Sequence, residues 1–127
     1  MDFDPPNYKE EDKFNHKVFE VEDCATQNII QYFGECINFI KENDKILVHC
    51  MAGASRSATI VIAYIMWEQK MSSQDALDFV SKKRSIICPN EGFIDQLKIF
   101  EKLLKDNNYD WDKIDFKSIK WEVEIND

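Results

Sequence analysis

The nine residues His49-Cys50-Met51-Ala52-Gly53-Ala54-Ser55-Arg56-Ser57 constrain this chain more than any other stretch. They separate a short β-branched run, Ile46-Leu47-Val48, from an apolar run of helical length, Ala58 to Trp67. The arrangement predicts a strand, a tight loop and a helix in succession. A loop so placed aims successive backbone N–H groups, and the positive end of the helix dipole, into one concavity. Such a concavity binds an anion, and Met51, Ala52, Gly53, Ala54, Ser55 and Arg56 would surround it.

Side chains in the loop make it reactive. Cys50 falls at the strand end, where converging N–H groups and the helix dipole stabilise a thiolate and bring its pKa well below the ~8.5 of a free thiol. It is then a nucleophile at neutral pH. Arg56 follows after five intervening residues, a spacing that closes the loop and lets a planar guanidinium hold two phosphoryl oxygens. Gly53 can take φ > 0 and approach the anion closely. Ser57 can hydrogen-bond the sulfur and help it leave a thiophosphate. His49 can orient the loop and support the thiolate. The plainer alternatives are a buried structural thiol at Cys50 and a surface ion pair at Arg56. Their fixed spacing around a glycine, between strand and helix, argues against both.

These residues carry a family resemblance. His-Cys-x-x-Gly-x-x-Arg-Ser resembles the phosphate loop of the cysteine-dependent protein phosphatases, and Ala52 to Thr59 is similar to the dual-specificity branch in particular. Val18 to Asp23, Asn28 to Ile40, Ile46 to Trp67, and Ser85 to Phe100 with its Cys88-Pro89-Asn90 turn resemble that branch in order and spacing. The resemblance covers roughly residues 15 to 104. It implies an α/β phosphatase-like fold, with a central sheet carrying the phosphate loop at one strand's carboxyl end and helices covering both faces. It implies phosphomonoester hydrolysis with no metal and no organic cofactor.

Asp23 is the second catalytic candidate. Phosphomonoester hydrolysis needs a proton on the leaving oxygen and then a base for the attacking water, and a carboxyl beside the anion site serves both steps. In the family this acid follows a strand in an acidic pair like Glu22-Asp23. The alternative is that Asp23 caps a helix entering at Thr26. In relatives the asparagine of the Pro-Asn turn hydrogen-bonds the phosphate loop, so the resemblance makes Asn90 a supporting residue; its plainer reading is an ordinary N-cap.

Around the site the chain alternates helical and extended patterns. Lys17 to Val21 suggests a strand. Thr26 to Lys41 places Ile29, Ile30, Phe33, Ile37 and Ile40 at helical spacing. Ser72-Ser73-Gln74-Asp75 opens another helix, which ends at Lys82-Lys83-Arg84 with basic residues suited to the negative end of its dipole. Pro89-Asn90 opens a last helix to about Lys105, with Phe93, Leu97, Phe100 and Leu104 inward. Cys36 suits a helix core. Cys24 and Cys88 are candidate resolving thiols for an oxidised Cys50, with a structural role an equal alternative.

At 127 residues and 44% hydrophobic content the chain holds one globular core. The residues divide into an N-terminal arm at 1–14, a catalytic domain at 15–105 and a C-terminal extension at 106–127. A net charge of −8 opposes binding to nucleic acid or anionic lipid. The four cysteines form no CxxC pair, so neither a zinc site nor a disulfide framework is indicated. No run reaches the ~18 apolar residues of a membrane span, and Met1-Asp2-Phe3-Asp4 does not resemble a secretory signal. The expectation is a cytoplasmic protein without stable membrane insertion, nuclear access being open.

The expected activity is hydrolysis of phosphotyrosine and phosphoserine or phosphothreonine in protein substrates through a cysteinyl-phosphate. Two alternatives stay open: a phosphatase for a non-protein phosphomonoester such as an inositol lipid, and a phosphoprotein-binding scaffold. Uncharged Met51, Ala52, Ala54 and Ser55 favour protein over lipid, because lipid-directed relatives often carry lysines in the loop. The N-terminal strands usual in the family, one of them beside the phosphate-loop strand, have no obvious counterpart. Ile119, Trp121, Val123 and Ile125 alternate with polar residues and suggest a strand at 119–125 that joins a sheet, in this chain or in a strand-exchanged homodimer.

Overall fold

Helices dominate the computed structural model, which describes residues 2–3, 17–43, 48–49, 55–83 and 87–121. Four helices form the body: α1 (Phe33–Lys41), α2 (Arg56–Gln69), α3 (Ser73–Lys83) and α4 (Glu91–Asp106). Short 3-10 turns precede α1 at Ile30–Tyr32 and follow α4 at Trp111–Lys113 and Phe116–Ser118. α2 is apolar around most of its circumference, so it is the helix the others cover. Its buried residues Ala58, Thr59, Ile60, Ile62, Ala63 and Met66 face several directions, and α1, α3 and α4 all pack against it. These three are amphipathic and turn single apolar faces inward. From α1 come Phe33, Cys36 and Ile37, from α3 Ala76 and Val80, and from α4 Phe93, Leu97, Phe100 and Leu104. The Phe33 and Phe100 rings meet edge-on at 5.1 Å.

The central sheet expected from the sequence is not seen. Strand among the described residues is confined to three two-residue segments, β1 (Asp2–Phe3), β2 (Lys17–Val18) and β3 (Val48–His49), in the order β2-β1-β3 with both pairings antiparallel. Asp2 lies opposite Val18 and His49, and Phe3 opposite Lys17 and Val48. The run predicted as a strand to Val21 stops at Val18. Phe19 and Val21 are still buried, at 6% and 5% exposure, but the Val21 carbonyl accepts a hydrogen bond from Arg56 Nη1 at 3.1 Å rather than from a neighbouring strand. The position beside β3 is taken by Asp2–Phe3, which corrects the expectation that no N-terminal strand is present. Ile46 and Leu47 lie outside the described residues.

Helix boundaries follow local chemistry. The helix expected from Thr26 begins instead with the 3-10 turn at Ile30, whose flanking residue Ile29 supplies no side-chain cap. α2 ends at Lys70, in the left-handed conformation with φ 54°, its N–H on the Met66 carbonyl. α3 starts as anticipated, with Ser72 Oγ accepting the Asp75 N–H at 3.1 Å.

Residues beyond α4 return to the body. Ile114 and Phe116 are buried, and Phe116 packs so closely over Gly34 that a β-carbon there would lie 2.7 Å from the ring. The backbone at Ile119–Trp121 is irregular. It is tied down by Asn28 Nδ2 donating to the Ile119 carbonyl at 2.8 Å and Trp121 Nε1 donating to the Ala25 carbonyl at 2.7 Å. Val123 and Ile125, the rest of the expected 119–125 strand, lie outside the described residues. Among the described residues no helix is long and apolar enough to cross a membrane.

Candidate active site

The site gathers where α2 and α4 begin. Ser55, Arg56 and Ser57 form the junction between the loop and α2. Ser55 and Ser57 are 4% and 1% exposed. The Ser55 carbonyl accepts both the Thr59 N–H at 3.0 Å and the Thr59 hydroxyl at 2.7 Å, which locks the first turn of α2. Arg56 is half-buried, its Nη1 on the Val21 carbonyl. That bond draws the guanidinium toward the segment that carries Glu22 and Asp23.

Asn90 joins the two halves. Its backbone N–H donates to Ser55 Oγ at 3.0 Å, its side-chain Nδ2 donates to Asp23 Oδ1 at 2.9 Å, and its Oδ1 accepts the Phe93 N–H at 2.9 Å. Asn90 therefore caps α4 and at the same time bonds the side chains of Ser55 and Asp23. Asp23 is exposed, and α1 with its leading turn starts seven residues later at Ile30, so Asp23 is not that helix's cap. Beyond it, the Glu22 N–H donates to Gln27 Oε1 at 3.1 Å and the Gln27 N–H to the Cys24 carbonyl at 3.1 Å, giving the acidic loop its turn.

The structure thus brings together Asp23, Ser55, Arg56 and Asn90, with Ser57 on the buried side of α2's first turn. Cys50, Met51, Ala52, Gly53 and Ala54 lie outside the described residues; His49 is described as backbone only, in β3. Cys24 Sγ sits 3.3 Å from Thr26 Oγ1, Cys88 is exposed and Cys36 is buried in the core. Among the described residues no group of three or more His, Cys, Asp and Glu side chains could hold a metal ion.

Two residues not anticipated from the sequence complete the surroundings. Gly92, the second residue of α4, lies against the Ala25 backbone so tightly that a β-carbon would overlap the Ala25 carbonyl. Gln96 is fully buried and bonds only backbone groups of Gly92 and the 27–30 segment. Its signal was available: a polar residue at 96 falls inside the inward stripe Phe93, Leu97, Phe100 and Leu104, where a buried amide must find partners.

The family "Dual specificity phosphatase, catalytic domain" matches residues 2–103, so the match extends to Asp2–Phe3. The chain is 41% identical over 104 residues to dual specificity protein phosphatase 7 of Homo sapiens, covering 79% of this chain and 25% of that protein. It is 47% identical over 94 residues to MAP kinase phosphatase with leucine-rich repeats protein 1 of Dictyostelium discoideum, covering 72% of this chain and 11% of that one. Among solved structures, the human tyrosine phosphatase-like serine/threonine/tyrosine-interacting protein superposes with a TM-score of 0.66 at 39% identity, over 69% of this chain and 61% of that one. The chain spans a quarter or less of these two curated relatives. By the extent of the family match and the identity it shares with these proteins, the chain belongs to the dual-specificity phosphatase catalytic-domain family.

Proposed function

We propose that this chain is a protein phosphatase that hydrolyses phosphotyrosine and phosphoserine or phosphothreonine through a cysteinyl-phosphate. Cys50 attacks phosphorus in line, and the bond to the leaving oxygen breaks as Asp23 delivers a proton to it. Arg56 and the N–H groups of Met51 to Arg56 hold the equatorial oxygens, where negative charge must be held through the transition state. Water, deprotonated by Asp23, then cleaves the thiophosphate, and Ser57 stabilises the departing sulfur. His49 supports the thiolate, and Asn90 holds the acid loop and the phosphate loop in register.

The observation that carries this reading is the Asn90 junction: one residue bonds both Asp23 and Ser55, so acid and anion loop are held together before substrate arrives. Such preorganisation has no use in a helix cap alone. The cytoplasm is the proposed compartment, phosphorylated proteins are the proposed partners, and the 106–127 extension is proposed to contribute an exchanged dimer contact.

A scaffold reading deserves weight because one structural neighbour is itself described as phosphatase-like and interacting. The present chain retains Cys50 and Arg56 in the loop, which favours turnover. Purified protein should be assayed in EDTA against phosphotyrosine, phosphoserine and phosphothreonine peptides and against phosphoinositide vesicles. Phosphate release from the peptides is expected. Release from the vesicles alone would favour the non-protein substrate, and peptide binding without release would favour the scaffold.

A further inference from the structure

We infer that Gln96 is a positioning residue for Asp23: its amide holds the segment that leaves the acid loop and so sets where the carboxyl stands. This rests on the proposed role of Asp23 as proton donor. Gln96 Oε1 accepts the Ile29 N–H at 2.9 Å and the Ile30 N–H at 3.0 Å. Its Nε2 donates to the Gln27 carbonyl at 2.9 Å and the Gly92 carbonyl at 3.2 Å. Two acceptances and two donations exhaust an amide, and the side chain is fully buried.

The geometry has a specific consequence. Asn28 Oδ1 caps the Gln31 N–H of the turn locally at 3.2 Å, but the Ile29 and Ile30 N–H groups depend on a residue 67 and 66 positions away. Asp23 lies four residues before Gln27, on a loop held internally by the Gln27 N–H on Cys24. Helix α4 therefore grips the acid segment at three places: Asn90 on Asp23, Gly92 on Ala25, and Gln96 on Gln27, Ile29 and Ile30. From Asn90 to Gln96 a helix rises about 9 Å, and along that length the loop has a rigid template. Packing alone would be met by an apolar residue at 96, as it is at Leu97 and Phe100. The amide is needed only to fix the backbone it touches. Without it those buried groups must move to find other partners, and the carboxyl four residues upstream moves with them.

The test uses the full 127-residue chain carrying Gln96→Ala or Gln96→Glu. Steady-state kinetics would be run on phenyl phosphate, whose leaving group needs a proton, and on 2,4-dinitrophenyl phosphate, whose leaving group does not. For Gln96→Ala, kcat/KM, which reports the steps up to thiophosphate formation, should fall about tenfold or more on phenyl phosphate and by less than about twofold on the activated substrate. Gln96→Glu keeps an acceptor for Ile29 and Ile30 and loses the amide donor. It should fold and show a smaller loss with the same substrate pattern, which covers the case in which Gln96→Ala does not fold. Added to Asp23→Ala, either change should have no further effect on phenyl phosphate, since it acts through that carboxyl.

Equal losses on both substrates, or a loss that persists with Asp23→Ala, would reduce Gln96 to a structural residue and overturn the inference. If Asp23→Ala alone shows the leaving-group pattern and neither Gln96 variant does, only the inference fails. Should Asp23→Ala show no such pattern, the proton-donor reading fails and the inference with it.

Discussion

Gly92→Ala offers a test in which two ordinary rules point in opposite directions. Replacing a helical glycine by alanine normally stabilises by up to about 1 kcal/mol, because glycine loses more backbone freedom on folding. Here a β-carbon would lie 2.6 Å from Ala25 Cα and 2.7 Å from its carbonyl carbon. Both are backbone atoms, so no side chain can swing aside. The Ala25 carbonyl oxygen lies nearer still, so Ala25 would have to retreat by more than about 0.8 Å to reach 3.4 Å, the near edge of ordinary contact. Its carbonyl also carries the Trp121 hydrogen bond, which would stretch with it. Overpacking of this kind costs about 1–3 kcal/mol, so the variant should be less stable by about 1–2 kcal/mol, a fall in Tm of roughly 3–8 °C for a domain of this size. Asp23 is two residues from Ala25, and a displacement near 1 Å at a proton donor costs about 10- to 100-fold in rate. Thermal denaturation and kcat on phenyl phosphate read the two effects separately. A variant more stable than its parent would refute the clearance argument. Lost stability with unchanged kcat would refute the coupling between α4 and the acid loop.

Other outcomes follow from the same structure. Asp23→Ala should lower kcat/KM, which reports the steps up to thiophosphate formation, by about 100-fold or more on phenyl phosphate while leaving that on dinitrophenyl phosphate nearly unchanged; similar losses of kcat/KM on both would remove Asp23 from proton donation. Glu101 accepts the Ser73 N–H at 2.6 Å, and this bond, ahead of the opposing effect of burial and the added pull of Lys105, holds its pKa below the ordinary value of about 4.5. A carboxyl with a lowered folded pKa contributes stability that is present above about pH 4.5 and is lost as pH falls through the folded value. Urea midpoints of wild type and Glu101→Gln should therefore differ at pH 7 and converge in acid, and a difference that grows below pH 4.5 would contradict this. Truncation before Ile119 removes the Asn28 and Trp121 hydrogen bonds and should lower Tm or change the mass seen by light scattering; no change in either would show the tail to be dispensable.

The parts of the fold that depend on nearest neighbours were legible in the sequence, and those that depend on distant partners were not. Ser72 and Asn90 announce helix starts because a cap acts on backbone only three residues away. The inward stripe of α4 follows from periodicity for the same reason. Extended segments differ, since a strand is as long as its partner allows. Val18 to Val21 has strand composition, but the two-residue partner Asp2–Phe3 pairs only with Lys17 and Val18, and farther on the Val21 carbonyl accepts from Arg56. Asp2–Phe3 carries no pattern at all over two residues, yet it pairs on both sides. The helix expected from Thr26 begins instead with the 3-10 turn at Ile30, and Gln96, far along the chain, binds the backbone at Gln27, Ile29 and Ile30. At the site, residue types and spacing pointed to Arg56, and the family resemblance pointed to Asp23 and Asn90. That Asn90 would bond Asp23 and Ser55 together, and that Gly92 and Gln96 would hold the loop, required the packing of α4 against residues 22–30.

The most direct measurement is to trap the intermediate. The full chain would be mixed with a phosphotyrosine peptide, quenched in acid within its first turnovers, digested and examined by mass spectrometry. A phosphoryl adduct on Cys50, absent when Cys50→Ser is treated alike, is expected together with release of inorganic phosphate by the wild type. Phosphate release without any adduct on Cys50, or undiminished turnover by Cys50→Ser, would contradict hydrolysis through a cysteinyl-phosphate.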